Sequence, residues 1–413
     1  MFSRRLKWPF PPNRLSRLLE ERRRSGAALL DLTESNPTRA GLSYPAEAIA
    51  AALADPGVAT YEPAPRGLEE ARAAVAAHCA GRGRQVASDR ILLAAGTSES
   101  YALLFKLLAD PGDSVLVPRP SYPLFDYLAA LEGLRVATYP LLYDGRWSID
   151  LESLERTIDE GGTSPRAVVV VNPNNPTGSA LRRGERDRLR RICGRHGTAL
   201  IADEVFFDYL DPQAAREAER SGDPIVPSMP PGGAARAGAP EQGSVPLTFA
   251  LGGLSKACGM PQMKLGWIVA DGPDDVVSEA LERLELVADT YLSVGTPVMR
   301  AAARLFEIGA EIRSALTRRL EENLRVLSGR TDAGSSGCRV LQRDGGWYAV
   351  LQVPAVVPEE DLVLSLLAED GVLVHPGYFF DFPREAYLVL SLLPRPDRFD
   401  EALRRILARV DRR

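Results

Sequence analysis

An α/β fold built on a mostly parallel sheet is what this sequence predicts, and three observations predict it. From residue 68 to 270, helical periodicity alternates with short apolar runs. The helical stretches between runs are long enough to be crossover connections, which parallel neighbours require. Runs such as 167–171, Ala-Val-Val-Val-Val, have no polar face, as expected of strands covered on both sides. Ligands in such sheets bind beyond the carboxyl ends of the strands, so the loops there are where chemistry is sought.

Residues 13–24 carry apolar side chains at helical spacing among charged ones and predict a polar-faced helix. Residues 28–32 read as a short strand, and Glu34-Ser35-Asn36-Pro37-Thr38 as a turn of small polar residues. An Ala-rich helix follows at 46–54, then the loop Tyr61-Glu62-Pro63-Ala64-Pro65-Arg66-Gly67 and helix 68–80. Strand 90–95 leads into Gly96-Thr97-Ser98, opening helix 98–108. Small residues there offer N–H groups and hydroxyls to an anion, and equally make an ordinary cap. Strand 114–117 runs into Pro118-Arg119-Pro120-Ser121-Tyr122-Pro123, before strand 134–139.

Strand 167–171 ends in Asn172-Pro173-Asn174-Asn175-Pro176-Thr177-Gly178, two Asn-Pro turns that expose amide side chains. Helix 182–196 and strand 198–202 lead to Asp203-Glu204-Val205-Phe206. Residues 211–246, rich in Pro, Gly, Ala and Ser, read as a flexible excursion, either a lid or disordered. Strands 247–251 and 265–270 flank Ser255 and Lys256. Helices 274–290 and 297–328 carry the chain into a smaller α/β domain of strands 338–342, 347–353 and 387–393 with helix 359–369. The expected division is an N-terminal segment (1–50) joining the small domain, a large domain (51–295) and a small C-terminal domain (296–413).

Composition narrows the function. A net charge of −5 argues against a general nucleic-acid binder. No apolar run approaches the roughly 20 residues of a membrane span, and no signal-peptide pattern opens the chain, so a cytoplasmic protein is expected. The histidines His78, His196 and His375 and the cysteines Cys79, Cys193, Cys258 and Cys338 are scattered, and no metal site is expected. Cys258 reads as a small packing residue.

Lysine usage points to the chemistry. Of 50 Lys and Arg residues only four are lysines: Lys7, Lys106, Lys256 and Lys264. Arginine keeps its proton and cannot form an imine. A lysine retained against such a bias, presented between two strands, is suited to act as an amine. A hydrophobic surround lowers its pKa, and the neutral form is the nucleophile.

Ser255-Lys256, Gly259, a basic residue eight after the lysine and Gly266 together resemble the cofactor-lysine segment of the class I/II aminotransferases. These are fold-type-I enzymes that use pyridoxal 5′-phosphate. Residues 172–178 match the family's Asn-Pro-x-Asn-Pro-Thr-Gly motif, and the likeness extends over nearly the whole chain. The resemblance implies a large domain with a mostly parallel sheet covered by helices, plus a smaller α/β domain. It implies that Lys256 carries the cofactor and moves the substrate proton, and that Asp203 partners the pyridine nitrogen. Asn175 would donate to the phenolate oxygen and Tyr122 would stack on the ring. Thr97, Ser98, Ser255 and Lys264 would hold the phosphate. Tyr61 would reach the phosphate of a partner subunit, which implies a homodimer. Asn36 and Tyr378 are substrate candidates, with a turn or packing role equally open.

Three departures accompany the match. The family's usual Arg at the second basic position is Lys264. The Tyr often found three residues after the Asp is Phe206. The Arg that binds the substrate carboxylate is replaced by Val389, with Arg39, Arg119 and Arg395 as other cations. The expected activity is amino transfer between an amino acid or amine and a 2-oxo acid. A lyase performing β- or γ-elimination, or a non-catalytic cofactor-binding module, are the alternatives.

Overall fold

In the computed structural model, residues 2–6, 8, 12–160, 164–230, 245–332 and 337–412 are described. The chain centres on an eight-stranded sheet. Its order is Ile91–Ala94, Gly266–Asp271, Thr248–Gly253, Ala199–Asp203, Ala167–Val171, Ser114–Arg119, Arg135–Tyr143 and Trp147–Ile149. The run from Thr248–Gly253 to Arg135–Tyr143 is parallel throughout. Gly266–Asp271 is antiparallel to both its neighbours. The connection before it holds only the helix Leu254–Ala257 and a 3-10 turn, too little to carry the chain back across the sheet face.

Alternate residues of each strand feed two cores. Val169, Ile201 and Phe249 pack with Leu104 of helix Thr97–Leu108 and Leu284 of helix Asp274–Asp289. Val168, Val170, Leu200 and Ala250 face the other way, toward Leu189 of helix Arg183–Arg195 and Val75 of helix Glu69–Gly81. Each of these Val, Leu, Ile and Phe side chains contributes about 1.5–3 kcal/mol on burial. Because both faces are covered, the functional groups are left to the strand ends.

A second, four-stranded antiparallel sheet runs Arg339–Val340, Tyr348–Gln352, Tyr387–Ser391, His375–Pro376. The N-terminal strand Leu30–Asp31 pairs in parallel with Val372–Leu373. Ser391 extends that seam: its N–H donates to Leu32 O at 2.7 Å and its Oγ to Glu34 O at 2.6 Å. The segment around residues 30–36 is thereby laid against the second sheet.

Three local expectations change. Helices Leu124–Leu131 and Leu151–Glu160 and strand Trp147–Ile149 add to the crossovers. The long helix expected at 297–328 is two, Thr296–Arg300 and Ala302–Asp332. The stretch at 211–246 is not a flexible excursion in its first half. It opens with helix Pro212–Arg220, capped by Asp211, whose Oδ1 accepts from the N–H groups of Gln213 and Ala214. Val226, Ser228 and Met229 beyond it are buried, and Ser228 N–H donates to Glu204 Oε1 at 2.7 Å. Residues 231–244 lie outside the described part.

Candidate active site

Register places the candidate residues side by side. Val171 is paired with Asp203, and Asp203 with Leu251, so the ends of three adjacent strands present Asn172, Asp203 and the Lys256 turn in a row. Neighbouring strands are about 4.8 Å apart, so the row from Arg119 to Gly253 spans roughly 14 Å.

Lys256 sits in the four-residue helix Leu254–Ala257. A helix this short closes few bonds of its own: Leu254 O accepts from the Cys258 N–H at 3.1 Å and Lys256 O from the Gly259 N–H at 3.2 Å. Side chains from three other elements supply donors: Tyr209 Oη to Lys256 O (2.7 Å), Arg313 Nη1 to Ala257 O (2.9 Å) and Tyr44 Oη to Gly259 O (2.6 Å). The turn is thus held from outside. Cys258 fits under it because Gly309 packs directly on its sulfur. Lys256 Nζ lies 4.4 Å from the centre of the Trp347 ring and 5.5 Å from that of Phe206. Desolvation lowers its ammonium from 10.5 to about 8, against the opposing pull of the Asp203 carboxylate.

Asp203 shows the complementary effect. Burial pushes its carboxyl up from 3.8 to about 6, and Glu204 adds to that. The Val205 N–H, the Tyr101 hydroxyl and Lys256 act in the other direction. Oδ1 accepts from Val205 N–H at 3.1 Å and Oδ2 from Tyr101 Oη at 3.2 Å.

The Asn-Pro turn is braced against its surroundings. Asn172 Nδ2 donates to Val226 O at 3.1 Å, and its Oδ1 accepts from Leu181 N–H at 2.9 Å. Asn174 Nδ2 donates to Pro120 O at 3.0 Å, and its Oδ1 accepts from Ser121 Oγ at 3.2 Å. The turn carrying Tyr122 is thereby tied to the turn carrying Asn175. Gly178 closes the motif with φ +69°, and a Cβ there would lie 2.5 Å from Gly345 O. Asn174 and Asn172 are consumed by the scaffold, whereas Asn175 Oδ1 is buried without a partner. Tyr122 remains 45% exposed, so its ring has an open side.

Gly96, Thr97 and Ser98 open helix Thr97–Leu108 beside the start of Gly266–Asp271. A Cβ on Gly266 would sit 2.9 Å from Gly96 Cα, so only glycine allows this close approach. Lys264 adopts a left-handed backbone (φ 50°), and its Nζ lies 3.9 Å from where a Gly96 Cβ would be. A helix N-terminus and an ammonium therefore meet at one point, an arrangement suited to an anion. Ser255 lies in the lysine helix itself.

Other expected residues stand apart. Tyr61 is 74% exposed and lines a cavity with Tyr291, Leu292 and Thr296. Asn36 uses its Oδ1 to cap the 3-10 turn Pro37–Arg39, accepting from Thr38 N–H and Oγ1. Tyr378 is partly exposed; its N–H donates to Glu359 and its ring meets Phe379 edge-on. Val389 is fully buried, paired with Val350 and His375. Arg119 is engaged by Asp126 and Asp381, and Arg395 by Asp397. Arg39 lines a cavity of about 200 Å³ with Arg395, Arg398 and Glu34.

Sequence reasoning missed Tyr101, Tyr209, Trp347 and Tyr348. Tyr348 is buried, with Tyr122 and Ser35 near its hydroxyl. The Gly345-Gly346 pair ahead of Trp347 was the available signal.

Comparison with known proteins gives the family and the fold. A family described as aminotransferase class I and II matches residues 27–406. Glutamate-pyruvate aminotransferase AlaA of Escherichia coli K12 is 26% identical over 386 residues, covering 92% of this chain and 89% of that protein. Nicotianamine aminotransferase B of Hordeum vulgare is 31% identical over 360 residues, covering 84% of this chain and 61% of that protein. The solved structure of an alanine aminotransferase from Pyrococcus furiosus matches all of both chains with a TM-score of 0.82 at 22% identity, a likeness of fold.

Proposed function

We propose that this chain, which belongs to the class I and II aminotransferase family, acts through a pyridoxal 5′-phosphate held by Lys256, Asp203, Asn175 and Tyr122. As a member it is an enzyme that moves an amino group between an amino acid or amine and a 2-oxo acid, on fold type I. Elimination is not favoured, since its relatives are named for amino transfer. Class I and II aminotransferases depend on pyridoxal phosphate.

The observation that carries the residue assignment is the placement of Lys256 beside the Trp347 ring, at the end of the strand paired with that of Asp203, where desolvation lowers the amine toward its neutral form. The surrounding groups fit the cofactor. The Asn175 side-chain amide takes no protein partner among the described residues, so its Nδ2 is available to donate, and Gly96 and Gly266 leave a close backbone surface next to Lys264. When bound, pyridoxal phosphate supplies an aldehyde for the amine and a ring that takes up the electron pair left at the substrate Cα.

The roles follow from position. Lys256 Nζ would hold the cofactor and, once free, would take the proton from the donor Cα. Asp203, ionised, keeps the ring nitrogen protonated. Asn175 donates to the phenolate oxygen, and Tyr122 covers one ring face. Thr97, Ser98, Ser255 and Lys264 bind the phosphate. Asn36 and Tyr378 belong to the substrate side. Residues 51–295 form the cofactor domain, with 1–50 joining the small domain 296–413. We read the active form as a cytoplasmic homodimer in which a second copy covers the exposed Tyr61, Tyr291 and Leu292 and receives Tyr61 at its phosphate. Among the described residues no helix is long and apolar enough to cross a membrane.

The test is a donor screen. Amino acids and amines are mixed singly with the loaded enzyme. Loss of the long-wavelength absorbance with one oxo product per site supports the reading; free ammonia, or no response to any donor, refutes it.

A further inference from the structure

Tyr101 is a buried hydroxyl in an apolar setting. It lies one turn into helix Thr97–Leu108, 3% exposed, with Phe105 and Phe125 against its ring at centroid distances of 5.8 and 5.4 Å. Packing alone would be met by phenylalanine. A buried hydroxyl needs an acceptor, and this one donates to Asp203 Oδ2 at 3.2 Å. The other carboxylate oxygen accepts from Val205 N–H at 3.1 Å. Asp203 is thus gripped at both oxygens.

The helix that supplies Tyr101 also begins at Gly96, Thr97 and Ser98, the candidate phosphate end. One rigid element therefore joins the anion-binding turn to the carboxylate, and fixes the distance between them.

We propose that Tyr101 is a positioning residue whose hydroxyl orients Asp203 and keeps it ionised toward the ring nitrogen of bound pyridoxal phosphate. This rests on the assignment of Asp203 to that nitrogen. The physical basis is that a hydrogen bond to the charged form favours it. The groups facing Asp203 are Glu204, which raises its carboxyl, and Lys256, Tyr101 and the Val205 N–H, which lower it; Tyr139 lies near Tyr101. Without the hydroxyl, desolvation meets less opposition, Asp203 carries less charge, and the ring nitrogen gives up its proton more readily.

The experiment follows the titration of ring-15N pyridoxal phosphate by NMR in the loaded enzyme, with kcat, KM and cofactor Kd alongside. Tyr101→Phe is expected to lower the ring-nitrogen midpoint by about one pH unit and kcat about tenfold, with the donor KM changed less than about twofold. Phe105→Leu, which disturbs the same packing and keeps the hydroxyl, is expected to leave the midpoint in place. Should Tyr101→Phe fail to fold, 3-fluorotyrosine at position 101, a stronger donor, is expected to raise the midpoint. An unmoved midpoint in the folded Phe variant, or in the fluorotyrosine protein, overturns the proposal. Asp203→Asn separates the two ideas: if it shifts the midpoint and Tyr101→Phe does not, only the Tyr101 role falls. If neither shifts it, the Asp203 assignment falls as well.

Discussion

The ends of the large sheet and the two inner strands of the small sheet differ in how firmly their candidate residues are built in. Asn172, Asn174, Asp203 and the carbonyls of the Lys256 turn are each held by two or more elements. The small sheet offers Tyr348, near Tyr122 and Ser35, and a buried valine at 389. A fixed cofactor demands fixed partners, and register across parallel strands supplies them. A substrate is distinguished by side chains that can change without moving a strand. On the large-sheet side the departures from the family pattern, Phe206 and Lys264, leave a side chain of similar kind in place, whereas Val389 removes the cation altogether.

Perturbing the large-sheet side should therefore cost most. Lys256→Ala is expected to abolish the covalent absorbance band and to lower turnover by about 10⁴-fold. A residual band of normal intensity would break the contrast at its centre. Asp203→Asn should keep the band and lose about 10²–10³-fold in kcat. The pH dependence sharpens the same point. Lys256 must be neutral to condense, so the rate of cofactor loading should climb about tenfold per pH unit below its pKa of about 8 and level off above it. A climb continuing toward 10.5, the ordinary value, would mean that the amine is solvated in the apoprotein. Asn175→Ala, which removes one hydrogen-bonding group, should weaken cofactor binding about tenfold in a direct titration. On the small-sheet side, Tyr348→Phe should shift the donor KM by less than about fivefold while leaving cofactor Kd unchanged. A larger change in cofactor Kd than in KM would place Tyr348 with the cofactor instead.

Legibility in the sequence follows the same physics. The run at 167–171 and the helix at 359–369 are seen where expected because apolar periodicity and flanking turn residues act locally. The two strand ends that carry Asp203 and the Asn172–Gly178 turn were legible because each directly follows an apolar run. The antiparallel direction of Gly266–Asp271 was not, since alternation carries no direction. The Asp211-Pro212 pair was a readable helix start, obscured by the Pro- and Gly-rich composition after it. Tyr101 and Trp347 were hidden for another reason. Each reads locally as core, and their value comes from partners about a hundred residues away, Asp203 and Lys256.

The central claim is that the amine at position 256, among the chain's four lysines, carries the cofactor. Borohydride reduction of the loaded enzyme, followed by peptide mapping, tests it most directly. The account expects a single phosphopyridoxyl group, on the peptide containing Lys256. A group on Lys264 or Lys106, or no stable adduct from a fully loaded protein, would contradict it.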